Sequence, residues 1–130
     1  MNSQILPTAL IVDDNFYNRD LCSLALQHVG YTVTEAENGV EAVSLLEQRR
    51  YDLLVLDLAM PDMDGLAVIH EIRQKLFHPR MCIMVMTANP HMAMHEEVEL
   101  AADYVMYKPI DITAFSKLLE RLRNSMLPTQ

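Results

Sequence analysis

Short apolar runs alternate with amphipathic stretches along this 130-residue chain, and this alternation constrains its fold more than any other feature. Each short run indicates a buried strand, and each stretch that follows repeats its apolar residues at the helical spacing of three or four. Strands that alternate strictly with helices form a parallel sheet whose two faces are covered by helices. We therefore predict an α/β fold with five strands, at Thr8–Val12, 31–36, 52–57, 81–86 and 103–107.

Five helices are predicted from the same pattern. Gly30 is a natural end for the first helix, the third ends before Pro79, and the fourth covers 90–100 with Pro90 in its first turn. Asp111 is expected to cap the fifth helix. The positions that define the helices are Tyr17, Leu21, Leu24, Ala25 and His28 in the first, Val40, Val43 and Leu46 in the second, Leu66, Ile69, Ile72 or Arg73, and Leu76 in the third, and Ile112, Phe115, Leu118, Leu119 and Leu122 in the fifth.

Composition limits the classes of function. The chain has a formal net charge of −8, a sign that repels phosphate backbones, so we expect no direct DNA binding. No apolar run is long enough to span a membrane and the N-terminus lacks a basic leader, so we expect a cytoplasmic protein without a membrane partner. We predict a single domain over residues 1–130, with a core from about residue 8 to about residue 122 and no output domain.

Polar residues stand where four of the predicted strands end. Asp13 and Asp14 follow the first strand, Asp57 ends the third, Thr87 follows the fourth and Lys108 follows the fifth. Each has an ordinary explanation when taken alone, as a helix cap, a turn residue or a solvated charge. In a parallel sheet, however, the carboxyl ends of the strands share one edge, which is where ligands bind in such folds. We therefore expect these side chains to lie together.

This set of side chains indicates phosphoryl chemistry. Three neighbouring carboxylates repel one another unless a cation lies between them, and oxygen ligands at a partly wet edge suit Mg²⁺. A lysine and a hydroxyl group supply hydrogen-bond donors for the oxygens of a transferred phosphoryl group. A carboxylate, a hard divalent cation, a lysine and a hydroxyl group are together what is needed to form an aspartyl phosphate.

The sequence resembles the receiver domains of two-component response regulators from about Thr8 to Leu122. The segments that carry the resemblance, each in its expected strand context, are LIVDDN, DLLVLDLAMPDMDG, MVMTAN and DYVMYKPI. The family implies a flavodoxin-like, doubly wound sheet of five parallel strands in the order 2-1-3-4-5.

The resemblance also assigns roles to the residues at the strand ends. Asp57 would be the phosphoacceptor, and Lys108 would pair with it at rest and with the phosphoryl group afterwards. Thr87 would move to hydrogen-bond that group. The cofactor would be Mg²⁺ or Mn²⁺, and its expected protein ligands are Asp14, Asp57 and the backbone carbonyl of Ala59, with Asp13 acting mainly through water.

Two neighbouring features are also implied by the resemblance. The Lys108–Pro109 peptide bond would be cis. Pro61 and Gly65 would shape the loop that follows the phosphoacceptor and start the third helix, where Gly65 supplies backbone freedom.

Three positions modify this expectation. Val105 stands three residues before Lys108, where receivers with a signalling output usually carry an aromatic residue. We therefore expect activation to reach the fourth helix and the fifth strand through a different or weaker rearrangement, with Tyr104 as a candidate participant. Ala59 and Asn89 occupy positions that tune the lifetime of the phosphorylated state, and Ala59 has no polar group to orient a hydrolytic water.

Two further patterns lie on the predicted fourth helix. His91 and His95 are four residues apart, with Glu96 and Glu99 nearby, a spacing that can hold a transition metal. A third ligand of fixed geometry is lacking, so we interpret this pattern as a solvated helix face. The methionines of the same region are interpreted as core residues, with an adaptable docking face as the alternative; they include Met92 and Met94.

We predict a receiver that takes a phosphoryl group from a phosphohistidine of a histidine kinase or a histidine phosphotransfer protein. It would catalyse only its own phosphorylation and dephosphorylation, and would signal to an unidentified protein target through the fourth helix, fifth strand and fifth helix. Family members often dimerise through that face, and the sequence neither requires nor excludes a homodimer.

Three other functions fit the sequence less well. An aspartyl-phosphate phosphatase needs a second aspartate two residues after its nucleophile, where this chain has Ala59. A nucleotide-binding domain needs a glycine-rich phosphate loop, which is absent. A degenerate receiver that serves only as an interaction module would have no need of the complete set of acidic residues, lysine and threonine.

Overall fold

The protein is described by a computed structural model, in which residues 6–75 and 80–126 are placed. Five parallel strands form one sheet in the order β2-β1-β3-β4-β5. This result confirms the predicted doubly wound α/β fold and its strand order. The strands are β1 (Thr8–Val12), β2 (Thr32–Ala36), β3 (Leu53–Asp57), β4 (Cys82–Thr87) and β5 (Tyr104–Tyr107).

The described residues contain six helices, not the five that were predicted. The helix expected over 90–100 is broken, because His95 has an extended backbone with φ −63° and ψ 137° and cannot continue the preceding helix. Its ring Nδ1 accepts a hydrogen bond from the amide of Glu97 at 3.2 Å and so starts a new helix. The helices are α1 (Phe16–Val29), α2 (Gly39–Gln48), α3 (Gly65–Lys75), α4 (Pro90–Ala93), α5 (Glu96–Ala101) and α6 (Ile112–Met126).

Local signals explain most helix ends. Gly30 ends α1 with a left-handed backbone of φ 113°, which glycine adopts without strain. The Oδ1 atom of Asp111 accepts hydrogen bonds from the amides of Thr113 and Ala114, at 3.0 and 3.1 Å, and caps α6 as predicted. The predicted contributions of Leu76 and Pro79 to the end of α3 lie outside the described residues.

Helices cover both faces of the sheet. On one face α1 packs against α6, over apolar side chains that include Ile11, Leu26 and Phe115. On the other face α2, α3 and α5 pack over a cluster that includes Leu54, Leu56 and Val98. Strand β3 is buried along its whole length, as expected of a strand covered on both sides. Within the described ranges, no helix combines the length and the apolar character needed to cross a bilayer.

The buried side of α1 differs from the predicted one. Tyr17, Leu21 and Leu24 are exposed. Of the predicted stripe, only Ala25 faces the core, and it does so together with Arg19, Cys22, Ser23 and Leu26. Several of these are small, so α1 can approach the sheet closely, which the larger side chains of the predicted stripe would prevent. Two residues in first helical turns, Val40 of α2 and Ile112 of α6, are likewise exposed rather than buried.

Candidate functional site

Three carboxylates meet at the carboxyl edge of the sheet. They belong to Asp13 and Asp14, which follow β1, and to Asp57, which ends β3. Strands β1 and β3 are adjacent and paired up to Val12 and Leu56, so the residues that follow this pair emerge side by side. One oxygen from each carboxylate lies within 4.8 Å of the others. The parallel register therefore brings together the acidic residues that the sequence analysis singled out.

The three carboxylates differ in their exposure to solvent. Asp13 is fully buried, Asp57 is 2% exposed and Asp14 is exposed. One Asp57 oxygen, Oδ1, accepts a hydrogen bond from the amide of Ala59 at 3.1 Å, and one Asp13 oxygen, Oδ1, accepts from the amide of Asn15 at 2.9 Å. Two of the three carboxylates, those of Asp13 and Asp57, are therefore buried and hydrogen-bonded, while that of Asp14 is open to solvent.

Lys108 supplies the protein cation of this site. It follows β5, and its Nζ lies 3.2 Å from Oδ2 of Asp13 and 3.2 Å from Oδ2 of Asp57. Burial by itself would lower the pKa of Lys108, but the two carboxylates outweigh burial and raise it above its ordinary value. Lys108 is therefore held as a charged bridge between the two buried acids. The peptide bond between Lys108 and Pro109 is cis.

The carboxyl group of Asp57 has a raised pKa. Burial, followed by the nearby charge of Asp13, raises its pKa to about 6, while Lys108 and the amide of Ala59 oppose this rise. A single lysine thus does not compensate the buried carboxylates fully. The remaining negative charge and the all-oxygen donor set fit a hard divalent cation such as Mg²⁺ or Mn²⁺.

The loop after Asp57 is packed tightly against the strand end. The amide of Leu58 donates to the carbonyl of Met86 at 3.0 Å, and the amide of Gly65 donates to the carbonyl of Leu58 at 2.9 Å. A Cβ atom at Gly65 would lie 2.5 Å from the Cα of Leu58 and 2.6 Å from the carbonyl oxygen of Asp57. Glycine is needed here because two backbone segments approach one another closely.

Thr87 lies at the same edge, with its hydroxyl group bonded within its own turn. Its Oγ1 donates to the carbonyl of Asn89 at 3.1 Å and accepts from the amide of Asn89 at 2.9 Å. The side chain of Asn89 in turn accepts from the amide of His91 at 3.0 Å and caps α4. The position of the Thr87 hydroxyl is thereby linked to the start of α4.

The patterns on the broken fourth helix do not form a second acidic or imidazole cluster. His91 and His95 are exposed, and within the described part of the chain the carboxylates at the sheet edge are the only group spaced to hold a metal ion. Val105 is 39% exposed on the edge strand β5, between the exposed residues Tyr104 and Tyr107, and Met94 is exposed after α4.

Arg19 is a residue of this site that sequence reasoning missed. Its guanidinium Nη1 donates to the backbone carbonyl of Asp13 at 2.8 Å. A signal was available, because Arg19, Cys22 and Leu26 follow the helical spacing i, i+3, i+7 and therefore share one face of α1. The predicted stripe that contains Tyr17 does not include Arg19, a charged residue of the kind usually found at the surface.

Comparison with known proteins gives consistent matches. The pattern of the response regulator receiver domain family matches residues 9–122. The chain is 37% identical over 113 residues to the DNA-binding transcriptional regulator NtrC of Escherichia coli (strain K12), covering 85% of this chain and 24% of that protein. It is 38% identical over 101 residues to the transcriptional regulatory protein ResD of Bacillus subtilis (strain 168), covering 77% of this chain and 41% of that protein. The chain thus spans less than half the length of these curated relatives.

Solved structures match over nearly the whole chain. The response regulator protein TrrA from Thermotoga maritima, in complex with Mg²⁺ and BeF, is 33% identical with a TM-score of 0.79, over 90% of this chain and 99% of that chain. The chemotaxis response regulator CheY4 of Vibrio cholerae is 27% identical with a TM-score of 0.80, over 91% of this chain and 99% of that chain.

Proposed function

The chain belongs to the response regulator receiver domain family, and we propose that it accepts a phosphoryl group from a phosphohistidine onto Asp57. The observation that supports this most strongly is the setting of Asp57. It is a buried carboxylate at the end of a strand, within hydrogen-bond reach of Lys108 and beside two further carboxylates. The donor would be a histidine kinase or a histidine phosphotransfer protein.

In the proposed reaction, a carboxylate oxygen of Asp57 attacks the phosphorus of the phosphohistidine. The new bond joins this oxygen to phosphorus, and the bond between phosphorus and the histidine nitrogen breaks. The nitrogen keeps the electron pair of the broken bond and takes up a proton. Lys108, already 3.2 Å from the attacking carboxylate, would stay close to donate to a phosphoryl oxygen.

We propose that the divalent cation, Mg²⁺ or Mn²⁺, is bound by Asp14, Asp57 and the backbone carbonyl of Ala59. When bound, it would offset the charge of the carboxylates and of the phosphoryl oxygens. Asp13 would contribute mainly through water, a role consistent with its full burial and with the engagement of its two oxygens by Lys108 and by the amide of Asn15.

The exposed side of α1 offers a place for the donor protein. Helix α1 starts directly after the acidic pair, and it exposes Phe16, Tyr17 and Leu24. A protein that presents a phosphohistidine to Asp57 must lie over this edge of the sheet, and exposed apolar side chains of this kind favour protein contacts. We propose that this side of α1 contacts the phosphodonor protein.

Signal output would begin at Thr87. To bond a phosphoryl group on Asp57, its hydroxyl must leave the backbone of Asn89, whose side chain caps α4. Because Val105 lacks a ring that could rotate, we propose that the rearrangement reaches α4, α5 and β5 through this turn. NMR spectra with and without a beryllofluoride mimic would test this: changes centred on 87–95 are expected, and changes centred on β5 that leave 87–95 unaffected would contradict it.

The domain would act only on itself and on protein partners. Its net charge of −8 supports the proposal that the domain does not bind DNA directly, although the relatives named above carry regulatory names and extend beyond the matched region. A role as a pure interaction module would leave the buried, incompletely compensated Asp57 without a purpose. A phosphatase role is disfavoured by Ala59, which cannot act as a general acid.

The test is labelling with acetyl phosphate, a small donor that needs no docking surface. We expect incorporation that requires Mg²⁺ and is abolished in Asp57→Asn. The matched control Asp20→Asn makes the same chemical change at an exposed position of α1 and should label normally. Labelling that persists in Asp57→Asn, or a wild-type protein that is not labelled at all, would refute the proposed function.

A second comparison addresses the docking side of α1. Tyr17→Glu should slow phosphoryl transfer from a histidine phosphotransfer protein while leaving labelling by acetyl phosphate unchanged, because the Tyr17 side chain is 80% exposed. Equal slowing with both donors would show that the substitution acts on the site itself.

A further inference from the structure

Arg19 is a cation of α1 whose side chain is only 11% exposed. Placing a guanidinium group inside a protein costs free energy unless its charge is paired and its N–H groups are bonded. An arginine on the exposed side of α1 would not have this free-energy cost. The partners of Arg19 therefore indicate why it is buried.

One partner is the backbone of the acidic pair. Strands β1 and β2 pair up to Val12 and Ala36, and the amide of Asp13 still donates to the carbonyl of Ala36 at 3.2 Å. The carbonyl of Asp13 accepts a hydrogen bond from a side chain, from Nη1 of Arg19 at 2.8 Å. Arg19 thus holds the main chain at the point where it leaves the sheet and presents Asp13 and Asp14.

The other partners hold the guanidinium group itself. Its Nε donates to Oε1 of Glu35 at 3.0 Å, and its Nη2 lies 3.9 Å from Oε2 of Glu37. Ser23 donates to the second oxygen of Glu35 at 3.2 Å. The group also lies 5.6 Å from the ring centroid of Phe16. These contacts orient the planar fork, so that one of its N–H groups is aimed at Asp13.

We propose that Arg19 is a positioning residue for the cation site: it fixes the backbone of Asp13 and Asp14 in the conformation that binds the divalent cation. This inference rests on the proposed function, since it concerns the same site. Residues that orient metal ligands without touching the metal typically change affinity by about 10- to 100-fold when they are removed.

An electrostatic role and a positioning role of Arg19 predict opposite changes in the affinity for Mg²⁺ when Arg19 is removed. A positive charge near a cation site repels the cation, so its removal would tighten Mg²⁺ binding if charge alone mattered. Loss of the hydrogen bond to the Asp13 carbonyl would instead let the acidic pair move and would weaken binding. The sign of the change therefore separates the two explanations.

The experiment is a titration of the wild-type protein and its variants with MgCl₂, followed by the amide shifts in NMR spectra at a temperature where each variant is folded. For Arg19→Gln we expect Kd for Mg²⁺ to rise by about tenfold. Arg19→Lys keeps the charge but cannot bond Glu35 and the Asp13 carbonyl together, so a smaller rise is expected. Leu26→Val removes one carbon from the same buried face of α1 and should leave Kd unchanged.

Glu35→Gln provides a second route if Arg19→Gln does not fold. It leaves Arg19 in place and removes the charge that anchors Nε, so Kd should rise by a smaller factor than in Arg19→Gln. An unchanged or lower Kd in folded Arg19→Gln, or in Glu35→Gln where that variant replaces it, would overturn the inference. A rise of the same size in Leu26→Val would do so as well, because it would reveal a general loss of stability. A wild-type protein that binds no Mg²⁺ would instead refute the proposed function.

Discussion

Replacing Asp57 by asparagine is expected to stabilise the metal-free protein at neutral pH. Burial and the charge of Asp13 raise the pKa of Asp57 from its ordinary value of 3.8 to about 6. The unfolded chain keeps the ordinary value, so between these pH values the folded state binds more protons than the unfolded state. The stability that this group contributes is therefore present below about pH 4 and is lost as the pH rises through about 6.

The size of the effect follows from the difference between the two pKa values. About two units correspond to about 3 kcal/mol of unfolding free energy. Asparagine cannot form the ion pair that Asp57 makes with Lys108, although Lys108 keeps its contact with Asp13 at 3.2 Å. The pKa of about 6 already includes the attraction of Lys108, so the lost ion pair is not subtracted again, and at neutral pH we expect Asp57→Asn to raise the free energy of unfolding by up to about 3 kcal/mol.

The assay is urea unfolding in the presence of EDTA, at neutral pH and near pH 4. The gain should be present at neutral pH and should shrink strongly near pH 4, where Asp57 is protonated in the folded state and about half protonated in the unfolded chain. Asp20→Asn, at an exposed site, should shift the free energy of unfolding by less than about 0.5 kcal/mol at either pH. No gain at neutral pH, or a gain of equal size near pH 4, would refute the reasoning.

Three further predictions test other parts of the structure. Gly65→Ala would place a Cβ 2.5 Å from the Cα of Leu58, so we expect a loss of about 1–3 kcal/mol in urea unfolding and slower labelling by acetyl phosphate; wild-type values for both would contradict this. Tyr31→Phe removes the 3.1 Å hydrogen bond to the carbonyl of Leu119, which should cost about 1 kcal/mol with no change in labelling. Ala59 is exposed two residues after Asp57, the proposed phosphoacceptor, so Ala59→Asn and Ala59→Lys should change the decay rate of the labelled protein, and equal rates in all three proteins would remove this residue from any role in hydrolysis.

The carboxyl-edge residues could be predicted because each one follows a strand that local pattern defines. Asp13, Asp14 and Asp57 required no knowledge of side-chain packing, since parallel pairing alone brings the strand ends together. The break at His95 could not be predicted in this way, because the apolar spacing continues across it and the cap depends on how the imidazole ring is oriented. The hydrogen bonds between the Thr87 hydroxyl group and the backbone of Asn89 likewise could not be predicted from the spacing of apolar residues.

The sequence by itself determined that strands alternate with helices along the chain, that the sheet is parallel, and which residues stand at its carboxyl edge. Hydrophobic periodicity and crossover topology act over short stretches of chain and can therefore be recognised without the tertiary structure. Only the tertiary structure decided which side of α1 is buried, and with it the placement of Arg19 against the carbonyl of Asp13. It also showed that Lys108 contacts Asp13 in addition to Asp57, the partner that the family resemblance implied. These choices depend on the size and charge of side chains that come together only when the sheet is covered, and helical spacing alone allowed more than one side of α1 to be the buried one.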